Sequence, residues 1–212
     1  MNLLVTAGPT REAIDPVRFL SNRSTGRMGY ALAEAGRARG HAVRLVSGPV
    51  SLAPPAGVEF IAVESAADML CAVLKHLSWC DALIMAAAVA DWRPAETSAA
   101  KLKKAGGDPV LRLVRTDDIL ERVRDSGATC LRVGFAAETG DPEAEALRKL
   151  HDKGLDLMVG NDVSQADAGF AVDTNRLVLV HGPDRVTRLP LLSKRDAADH
   201  VLEILESLPP RT

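Results

Sequence analysis

Cysteine is scarce in this chain of 212 residues, which carries only Cys71, Cys80 and Cys130. An odd number of cysteines with no Cys-x-x-Cys pair argues against a disulfide framework, and the five histidines show no spacing that suits a zinc site. All three cysteines lie among apolar neighbours. We therefore predict three reduced, buried thiols in a cytoplasmic protein.

Aromatic residues amount to only 3% of the chain, although hydrophobic residues together reach 47%. Much of the apolar content is alanine and valine, which favours a core in which helices pack closely against a sheet. The net charge is −2 with no long basic run, which argues against nucleic acid as a partner. No apolar run approaches the ~20 residues of a membrane helix, and the N-terminus has no basic segment, so we predict neither a membrane span nor a signal peptide.

Several signatures of nucleotide enzymes and hydrolases are also missing. The sequence contains no G-x-G-x-x-G fingerprint, no G-x-x-x-x-G-K-[ST] phosphate loop and no G-x-S-x-G nucleophile elbow. Its single tyrosine, Tyr30, is followed four residues later by Glu34 and not by the lysine of a short-chain reductase. A conventional Rossmann oxidoreductase is therefore disfavoured.

Apolar, strand-like runs alternate with helical segments along the chain. The main predicted strands cover 2–7, 41–46, 58–63, 81–88, 130–135 and 155–159, and the predicted helices cover 26–39, 65–78, 118–125, 141–154 and 193–208. Two alternating runs at 176–181 and 185–189 predict an antiparallel hairpin. This order predicts one α/β domain over 1–212, with a Rossmann-like, doubly wound, mostly parallel sheet and a C-terminal antiparallel hairpin.

Two polar stretches interrupt this pattern. Residues 10–25 are predicted to be irregular. Residues 91–107 contain Pro94 and a Gly-Gly pair, and we predict a mobile active-site flap there, followed by a short strand at 110–114. Ligands of doubly wound sheets bind beyond the carboxyl ends of the strands. The loops that follow four of the predicted strands therefore form the candidate site.

Polar residues and glycines crowd the segment before the first helix. Ser21, Asn22, Ser24 and Gly26 precede a helix N-terminus, whose free N–H groups and positive dipole end favour an anion. Gly8 follows the first strand, where a phosphate loop would lie. An ordinary strand-exit turn and a capped helix start with solvated arginines are the alternatives.

Small and charged residues mark the other loops. Alanines before Asp91 leave room for a flat group against the backbone, and Lys101 opens a Lys-Leu-Lys-Lys cluster that can close over a triphosphate. Phe135 can stack on a base, and Lys149 and Lys153 share one helix face. The structural alternatives are a capping aspartate, a solvated charge run, a core phenylalanine and a surface ion-pair ladder.

The ordered set of segments is more specific than any one of them. It comprises TAGPTREAIDPVRFLSNRSTGRMG, AAAVADWRP, KLKK, GFAAET, the two helix lysines, and NDVS at 161–164 with Gly169-Phe170 beyond. In this order the segments resemble the phosphopantothenoylcysteine synthetase family, which in many bacteria is the C-terminal half of a bifunctional coenzyme A biosynthesis flavoprotein. The resemblance covers nearly the whole chain and looks like the bacterial type that uses CTP.

The resemblance implies a two-step ligase reaction. The carboxylate of 4′-phosphopantothenate attacks the α-phosphate of CTP to give an acyl-cytidylate and pyrophosphate, and the amine of L-cysteine then displaces CMP. By motif, the implied catalytic residues are Asn22 and Lys101. The implied nucleotide-binding residues are Met85, Ala86, Ala87, Asp91, Lys101, Asp117, Asp118, Ile119, Leu120, Phe135, Lys149 and Lys153. Implied contacts to substrate or phosphate are Gly8, Ser21, Asn22, Ser24 and Gly26.

The same resemblance implies partners. CTP is the co-substrate with Mg²⁺, no flavin is expected in this chain, and the metal ligands stay unassigned. A homodimer is implied in which residues 15–20 help to form the partner's substrate site. A phosphopantothenoylcysteine decarboxylase, fused or separate, is the further expected partner.

One position departs from the family pattern. Thr116-Asp117 stands where the family usually has Asn-Pro, directly before Asp118-Ile119. The change predicts a looser turn and an added negative charge near the triphosphate. Two other hypotheses remain for the whole chain, namely an NAD(P)-dependent reductase or epimerase and a nucleotide-binding regulatory subunit that does not need Lys101.

Overall fold

The computed structural model of the protein describes residues 1–103, 110–138, 142–162, 172–183 and 185–211. The strands, in chain order, are β1 (Asn2–Ala7), β2 (Arg11–Ala13), β3 (Phe19–Ser21), β4 (Ala42–Ser47), β5 (Glu59–Ala62), β6 (Ala82–Met85), β7 (Trp92–Pro94), β8 (Leu113–Arg115), β9 (Leu131–Glu138), β10 (Leu157–Asp162), β11 (Thr174–Asn175), β12 (Leu177–Val180), β13 (Val186–Arg188) and β14 (Leu192–Ser193). The helices are α1 (Arg27–Ala38), α2 (Ala66–His76), α3 (Ile119–Asp125), α4 (Pro142–Asp152) and α5 (Lys194–Ser207).

Eight of these strands form the central sheet, in the order β13-β12-β10-β9-β6-β1-β4-β5. The six strands from β10 to β5 run parallel, while β12 is antiparallel to both β10 and β13. Apolar runs such as NLLVTA suit this position because a central parallel strand is covered on both faces. The predicted fold class is confirmed: a doubly wound, mostly parallel α/β sheet that ends in an antiparallel hairpin.

Helices cover both faces of the sheet, and β1 shows the division. Leu3 and Val5 belong to a core cluster shared with α1 and α5, whereas the intervening Leu4 belongs to a cluster shared with α2 and α3. Helix α1 lies so close to the sheet that a Cβ on Gly29 would be 2.5 Å from the Cβ of Ala7. Small side chains thus allow the close helix–sheet packing that the low aromatic content predicts.

Two helices begin at the capping signals in the sequence. The Ser65 hydroxyl accepts a hydrogen bond from the Asp68 N–H, and the Asp68 carboxylate accepts one from the Ser65 N–H, which completes a capping box. Ser193 caps α5 by accepting the Asp196 N–H. Both predicted helix starts are confirmed. Among the helices of the described ranges, none has the length and hydropathy needed to cross a membrane.

Two short strand pairs were not predicted from the sequence. The prediction for residues 10–25 was wrong, because β2 and β3 form an antiparallel hairpin there. In the second pair, β7 lies near the start of the predicted flap and β8 lies beyond its end. The strand predicted at 110–114 is β8, at Leu113–Arg115. With three residues in each strand, alternation of polar and apolar residues is too brief to be recognised in the sequence.

Three smaller predictions also need correction. The strand predicted to reach residue 88 ends at Met85, because the Ala86 N–H turns back to the Ile84 carbonyl at 3.2 Å. Strand β9 continues to Glu138, three residues beyond its predicted end. Cys71 is exposed on α2, whose buried residues are on the other side of the helix, whereas the other two cysteines are buried as predicted.

The chain order reverses in the middle of the sheet. From β1 the chain moves outward to β4 and β5, then returns to β6 on the other side and continues to β9 and β10. A crevice forms at such a switch point beyond the carboxyl ends of the strands. The two strand exits stay joined here, since the Ala88 N–H donates to the Gly8 carbonyl at 2.9 Å and the Thr10 N–H to the Ala88 carbonyl at 3.3 Å.

Candidate functional site

A cleft of about 850 Å³ opens at this edge of the sheet, a size typical of small-molecule sites. The ends of β6 and β9 form its floor, and its walls are the start of α3, one face of α4 and the β7–β8 pair. The predicted nucleotide-binding and catalytic residues that line it are Asn22, Met85, Ala87, Asp91, Asp117, Asp118, Ile119, Leu120, Phe135, Lys149 and Lys153. The fold thus brings most of the predicted residues together.

Lys149 of α4 and Lys153, which directly follows α4, both reach the cleft and form ion pairs there. Lys149 Nζ lies 2.5 Å from Glu138 Oε1 and 3.4 Å from Glu145 Oε1. Lys153 Nζ lies 2.5 Å from Asp118 Oδ2. The predicted pairing with Glu145 exists, but the shortest ion pair of each lysine joins α4 to the end of β9 or to the start of α3. The ammonium groups therefore connect three elements across the cleft.

Asp118 holds the start of α3. Its Oδ1 accepts the N–H groups of Leu120 and Glu121 at 3.0 and 3.2 Å, so the first turn of α3 is capped from within. Burial raises the pKa of Asp118, but the hydrogen bond and charge of Lys153, together with these N–H groups, outweigh burial and leave the pKa below its ordinary value. Asp118 is therefore a carboxylate at neutral pH.

The β7–β8 pair supplies two cleft residues that the sequence did not suggest. The guanidinium carbon of Arg115 lies 5.5 Å from the centre of the Trp92 ring, and both residues line the cleft. Beside them, Thr116 Oγ1 donates to the Ala90 carbonyl at 2.6 Å, and the Thr116 N–H donates to the Asp91 carbonyl at 3.0 Å. These two hydrogen bonds hold Asp91 and Arg115 at the same edge of the cleft.

Asn22 lies where the cleft meets the segment before α1. Its Nδ2 donates to the Ala88 carbonyl at 2.9 Å, which holds the side chain against the joined strand exits. Ser21 Oγ donates to the Thr10 carbonyl at 2.8 Å, and Gly8 adopts φ 75° where a Cβ would lie 2.9 Å from a valine side chain. Ser21 and Gly8 shape the backbone around Asn22, and neither is among the described lining residues of the cleft.

A smaller chamber of about 140 Å³ adjoins the cleft and shares Ala87 and Ala88 with it. Five predicted residues line this chamber: Ser24, Gly26 and Ala86, together with Ala87 and Phe135, which also line the cleft. Gly26 adopts φ 78° directly before α1, a conformation that suits glycine, and its N–H donates to Ser24 Oγ at 3.3 Å. Of the predicted substrate segment, Ser24 and Gly26 therefore line the chamber, whereas Asn22 lines the main cleft.

Polar side chains from the C-terminal part of the chain close the chamber. Lys194 is only 7% exposed, and its Nζ donates to Asn175 Oδ1 at 2.9 Å and to a backbone carbonyl at 3.2 Å. Burial lowers the pKa of Lys194 to about 8, against the opposing effect of Asp173 and with a further lowering by Arg27. Asn161 also lines the chamber, and its buried Oδ1 has no hydrogen-bond partner within the described ranges. Sequence reasoning missed Lys194 and Asn175.

Lys101 is exposed and is not among the described residues that line either cavity. Several parts of the motifs lie outside the described residues: 104 of the lysine cluster, 106–107, 139, 163–164 and 169–170.

The family is identified by comparison with known proteins. A family model described as the DNA/pantothenate metabolism flavoprotein C-terminal domain matches residues 1–208. The chain belongs to this family. Since the match spans nearly the whole chain, the resemblance predicted from the ordered motifs is confirmed.

Two of the curated relatives of this chain are named as bifunctional proteins. The chain is 48% identical over 212 residues to the coenzyme A biosynthesis bifunctional protein CoaBC of Bacillus subtilis, covering 100% of this chain and 52% of that protein. It is 46% identical to CoaBC of Vibrio vulnificus, covering 98% of this chain and 52% of that protein. The chain therefore spans about half the length of the curated relatives it matches.

Solved structures agree on the fold. The crystal structure of the C-terminal domain of CoaBC matches with a TM-score of 0.82 and 42% identity, covering 97% of this chain and 96% of that chain. A mutant of Cab2 solved as a complex with phosphopantothenate-cysteine matches with a TM-score of 0.79 and 16% identity, covering 97% of this chain and 85% of that chain. At that identity the likeness to Cab2 concerns the fold alone.

We expect Lys194→Met to change how stability depends on pH. The folded protein holds Lys194 at a pKa of about 8, below its ordinary value of 10.5. Between pH 8 and pH 10.5 the unfolded chain binds more protons at this lysine than the folded protein does. Lys194 therefore makes the free energy of unfolding rise with pH, by on the order of 3 kcal/mol at most. Urea unfolding at several pH values from 7 to 10 should give a wild-type curve that rises relative to that of Lys194→Met. The exposed Lys75→Met is the matched control, and parallel curves for wild type and Lys194→Met would contradict the assignment.

Proposed function

We propose that this domain is the ligase that forms 4′-phosphopantothenoyl-L-cysteine from 4′-phosphopantothenate, L-cysteine and CTP through an acyl-cytidylate. The strongest support is that a chain with full-length similarity to the C-terminal half of CoaBC carries a cleft with three cationic side chains beside an amide, namely Lys149, Lys153, Arg115 and Asn22. Within this proposal, residues 1–212 act as one synthetase domain, and residues 91–107 are its active-site flap.

The first step brings several negative charges together. The carboxylate of the acid substrate must approach a triphosphate, so cationic donors must already be in place. Lys149 and Lys153 have carboxylate partners in the cleft, and phosphate oxygens can replace these partners with hydrogen bonds of the same charge-assisted kind. Lys101 then neutralises the charge that develops as the carboxylate attacks the α-phosphate and pyrophosphate leaves.

The base and ribose of CTP belong at the floor and rim of the cleft. The N–H groups of Ala86 and Ala87 are bonded to the Ile84 carbonyl and to Thr6 Oγ1, so in our proposal the backbone at Met85, Ala86 and Ala87 meets the base through its carbonyl groups. Phe135 offers a ring face for the base. Asp91 holds the nucleotide at the rim. Residues Asp117, Asp118, Ile119 and Leu120 border the triphosphate, although the Leu120 N–H is already bonded to Asp118. CTP binding at this turn therefore relies on the remaining backbone groups and on Lys153.

Asn22 and the adjoining chamber suit the acid substrate. In our proposal the phosphate of 4′-phosphopantothenate binds near Ser24 and Gly26, and Gly8 and Ser21 hold the surrounding backbone. One N–H of Asn22 is bonded to Ala88, so the other can donate to the acyl oxygen. In the second step the amine of cysteine attacks the acyl carbon, CMP leaves, and the amide forms.

Four carboxylate residues line the cleft, namely Asp91, Asp117, Asp118 and Glu121. No cluster of three or more metal-ligating side chains exists among the described residues. This fits Mg²⁺, which commonly binds through substrate phosphates and water with only one or two protein carboxylates. Asp91 and Asp117 are the residues that would hold it. When bound, Mg²⁺ supplies charge neutralisation for the triphosphate.

The cellular setting follows from the same proposal. The reaction takes place in the cytoplasm, and the product passes to a phosphopantothenoylcysteine decarboxylase, fused or separate. The flavin belongs to that decarboxylase and not to this domain.

The direct test measures pyrophosphate release from 4′-phosphopantothenate, L-cysteine and Mg²⁺ with either CTP or ATP. We expect turnover with CTP to exceed turnover with ATP by at least about tenfold, roughly 1.4 kcal/mol. Equal turnover with both nucleotides would contradict the CTP assignment. Nucleotide binding without turnover would favour a regulatory subunit, and an absorbance change with NADPH would favour a reductase.

Asn22 and Lys101 should fail at different steps. Asn22→Asp places a negative charge beside the acyl-phosphate, so acyl-cytidylate should accumulate on the enzyme. Lys101→Gln removes the charge needed for the first attack and should slow pyrophosphate release by on the order of a hundredfold. Rapid quench with labelled CTP measures both effects. Asn22→Asp also replaces the amide donor with a carboxylate oxygen that faces the Ala88 carbonyl. The stability of this variant should therefore be checked by a thermal melt. Near-normal pyrophosphate release in Lys101→Gln would refute the flap assignment.

We also propose a two-fold homodimer through an apolar patch beside the site. Val17 and Phe19 are 59% and 46% exposed on the β2–β3 hairpin, and Trp92 and Leu113 are 47% and 42% exposed on the neighbouring β7–β8 pair. Val17→Asp combined with Phe19→Asp should give a monomer with reduced turnover, because residues 15–20 help to form the partner's substrate site. Light scattering and pyrophosphate release measure both, and a fully active monomer would rule the arrangement out.

A further inference from the structure

The buried carboxylate of Asp15 organises the turn between β2 and β3. The whole residue is 3% exposed and its side chain has no exposed surface. Asp15 Oδ1 accepts the N–H groups of Val17 and Arg18, both at 2.8 Å. These two bonds are sufficient to form an aspartate turn. The second carboxylate oxygen is therefore available for another purpose.

That second oxygen binds the flap. Asp15 Oδ2 accepts the Leu102 N–H at 3.1 Å and also accepts hydrogen bonds from the Arg18 guanidinium. The same guanidinium donates to the Leu102 carbonyl at 2.8 Å. Asp15 and Arg18, here called the flap clamp, thus bind both backbone polar groups of one flap residue.

A second anchor lies a few residues earlier in the flap. The Ser98 N–H donates to the Ile14 carbonyl at 3.0 Å, and Thr97 Oγ1 donates to the Ala13 carbonyl at 3.0 Å. Lys101 lies between this anchor and Leu102. Its backbone is therefore fixed on both sides to the hairpin whose last strand leads directly to Asn22.

We propose that Asp15 and Arg18 are positioning residues that hold Lys101 in register with Asn22. The catalytic role of Lys101 rests on the proposed function, whereas the clamp itself does not. A lysine on an unrestrained loop would lose much of its effect, because a charge stabilises a transition state best when its backbone is already in place. The β2–β3 hairpin provides one rigid frame for both residues.

The clamp keeps its charge over the working pH range. The hydrogen bond from the Arg18 guanidinium holds the pKa of Asp15 far below its usual range, and this effect together with the N–H groups of Val17, Leu102 and Arg18 outweighs burial, which raises the pKa. The carboxylate stays ionised near neutral pH, so the clamp acts as a constant support and not as a pH switch.

Asp15→Asn separates the turn from the clamp. The Asn carbonyl oxygen can still accept the Val17 and Arg18 N–H groups, but its NH₂ group faces the donors of Leu102 and Arg18 and cannot bind them. We expect amide exchange over residues 98–103 to accelerate by about tenfold or more, and trypsin to cleave faster after Lys101. Asp68→Asn, which alters a remote carboxylate with a similar pattern of backbone bonds, should leave both rates unchanged.

Turnover tests whether the clamp acts through Lys101. In Asp15→Asn we expect kcat for pyrophosphate release to fall by about tenfold, while KM for CTP stays within about twofold. In a Lys101→Gln background the same substitution should cause no further loss, since residues that act as a unit are not additive. Arg18→Lys, which keeps the charge but loses the planar fork, should show the same pattern if Asp15→Asn fails to fold.

Two results would overturn the proposal. One is unchanged exchange and proteolysis at residues 98–103 in folded Asp15→Asn, which tests the clamp whether or not the protein turns over CTP. The other is a multiplicative loss of kcat in the double variant, which would assign Asp15 a general structural role independent of Lys101. If no nucleotide supports turnover, the proposed function fails while the exchange measurement still decides whether the clamp exists.

Discussion

The functional edge depends on the backbone pairing that keeps the exits of β1 and β6 together after both strands have ended. The Ala88 peptide is the centre of this pairing: its N–H binds the Gly8 carbonyl, and its carbonyl accepts both the Thr10 N–H and the Asn22 side chain. A Cβ on Gly48 would lie 1.8 Å from the Pro9 carbonyl oxygen, so the exit of β4 presses on the same point. The floor of the cleft is therefore set by main-chain contacts, which are insensitive to most side-chain changes. The Asn22 side chain is positioned by its hydrogen bond to this backbone.

Above this rigid floor, each of the two cleft lysines is paired with a carboxylate. Unpaired lysines close together would repel one another and lose hydration without compensation. Glu138 and Asp118 prevent this by binding Lys149 and Lys153 across the cleft. In the proposed function, nucleotide binding is an exchange of carboxylate for phosphate. Such an exchange adds little net Coulomb energy in the ground state, and it leaves the cations positioned for the moment when charge develops on the reacting phosphate.

Much of this arrangement was predictable, because strands β1, β6, β9 and β10 are long apolar runs and the capping residues of α2 and α5 are explicit in the sequence. Once a doubly wound sheet is recognised, the carboxyl edge follows from topology. The β2–β3 hairpin and the β7–β8 pair were not predictable, since each of their strands has only three residues and carries too little periodicity. Lys194 was missed for another reason: a lysine in the first turn of a helix is usually solvated, and only the packing of α5 against the chamber buries it. Arg115 was missed because nothing in the sequence distinguishes it from other exposed arginines. Only the pairing of β8 with β7 places it over Trp92.

The departure at Thr116-Asp117 illustrates how neighbouring contacts can replace a rigid residue. Proline would restrict this turn through its fixed φ, and the sequence alone suggested a looser turn without it. In the structure, Thr116 is held by two hydrogen bonds to the backbone of residues 90 and 91, and Asp118 caps α3 immediately afterwards. Hydrogen bonds on both sides therefore restrict the backbone conformation of the turn, as the ring of a proline would have done. Asp117 itself is exposed at the mouth of the cleft, so its negative charge is solvated and screened. In the proposed function, the remaining consequence of the substitution is electrostatic and concerns the approach of the triphosphate more than the shape of the turn.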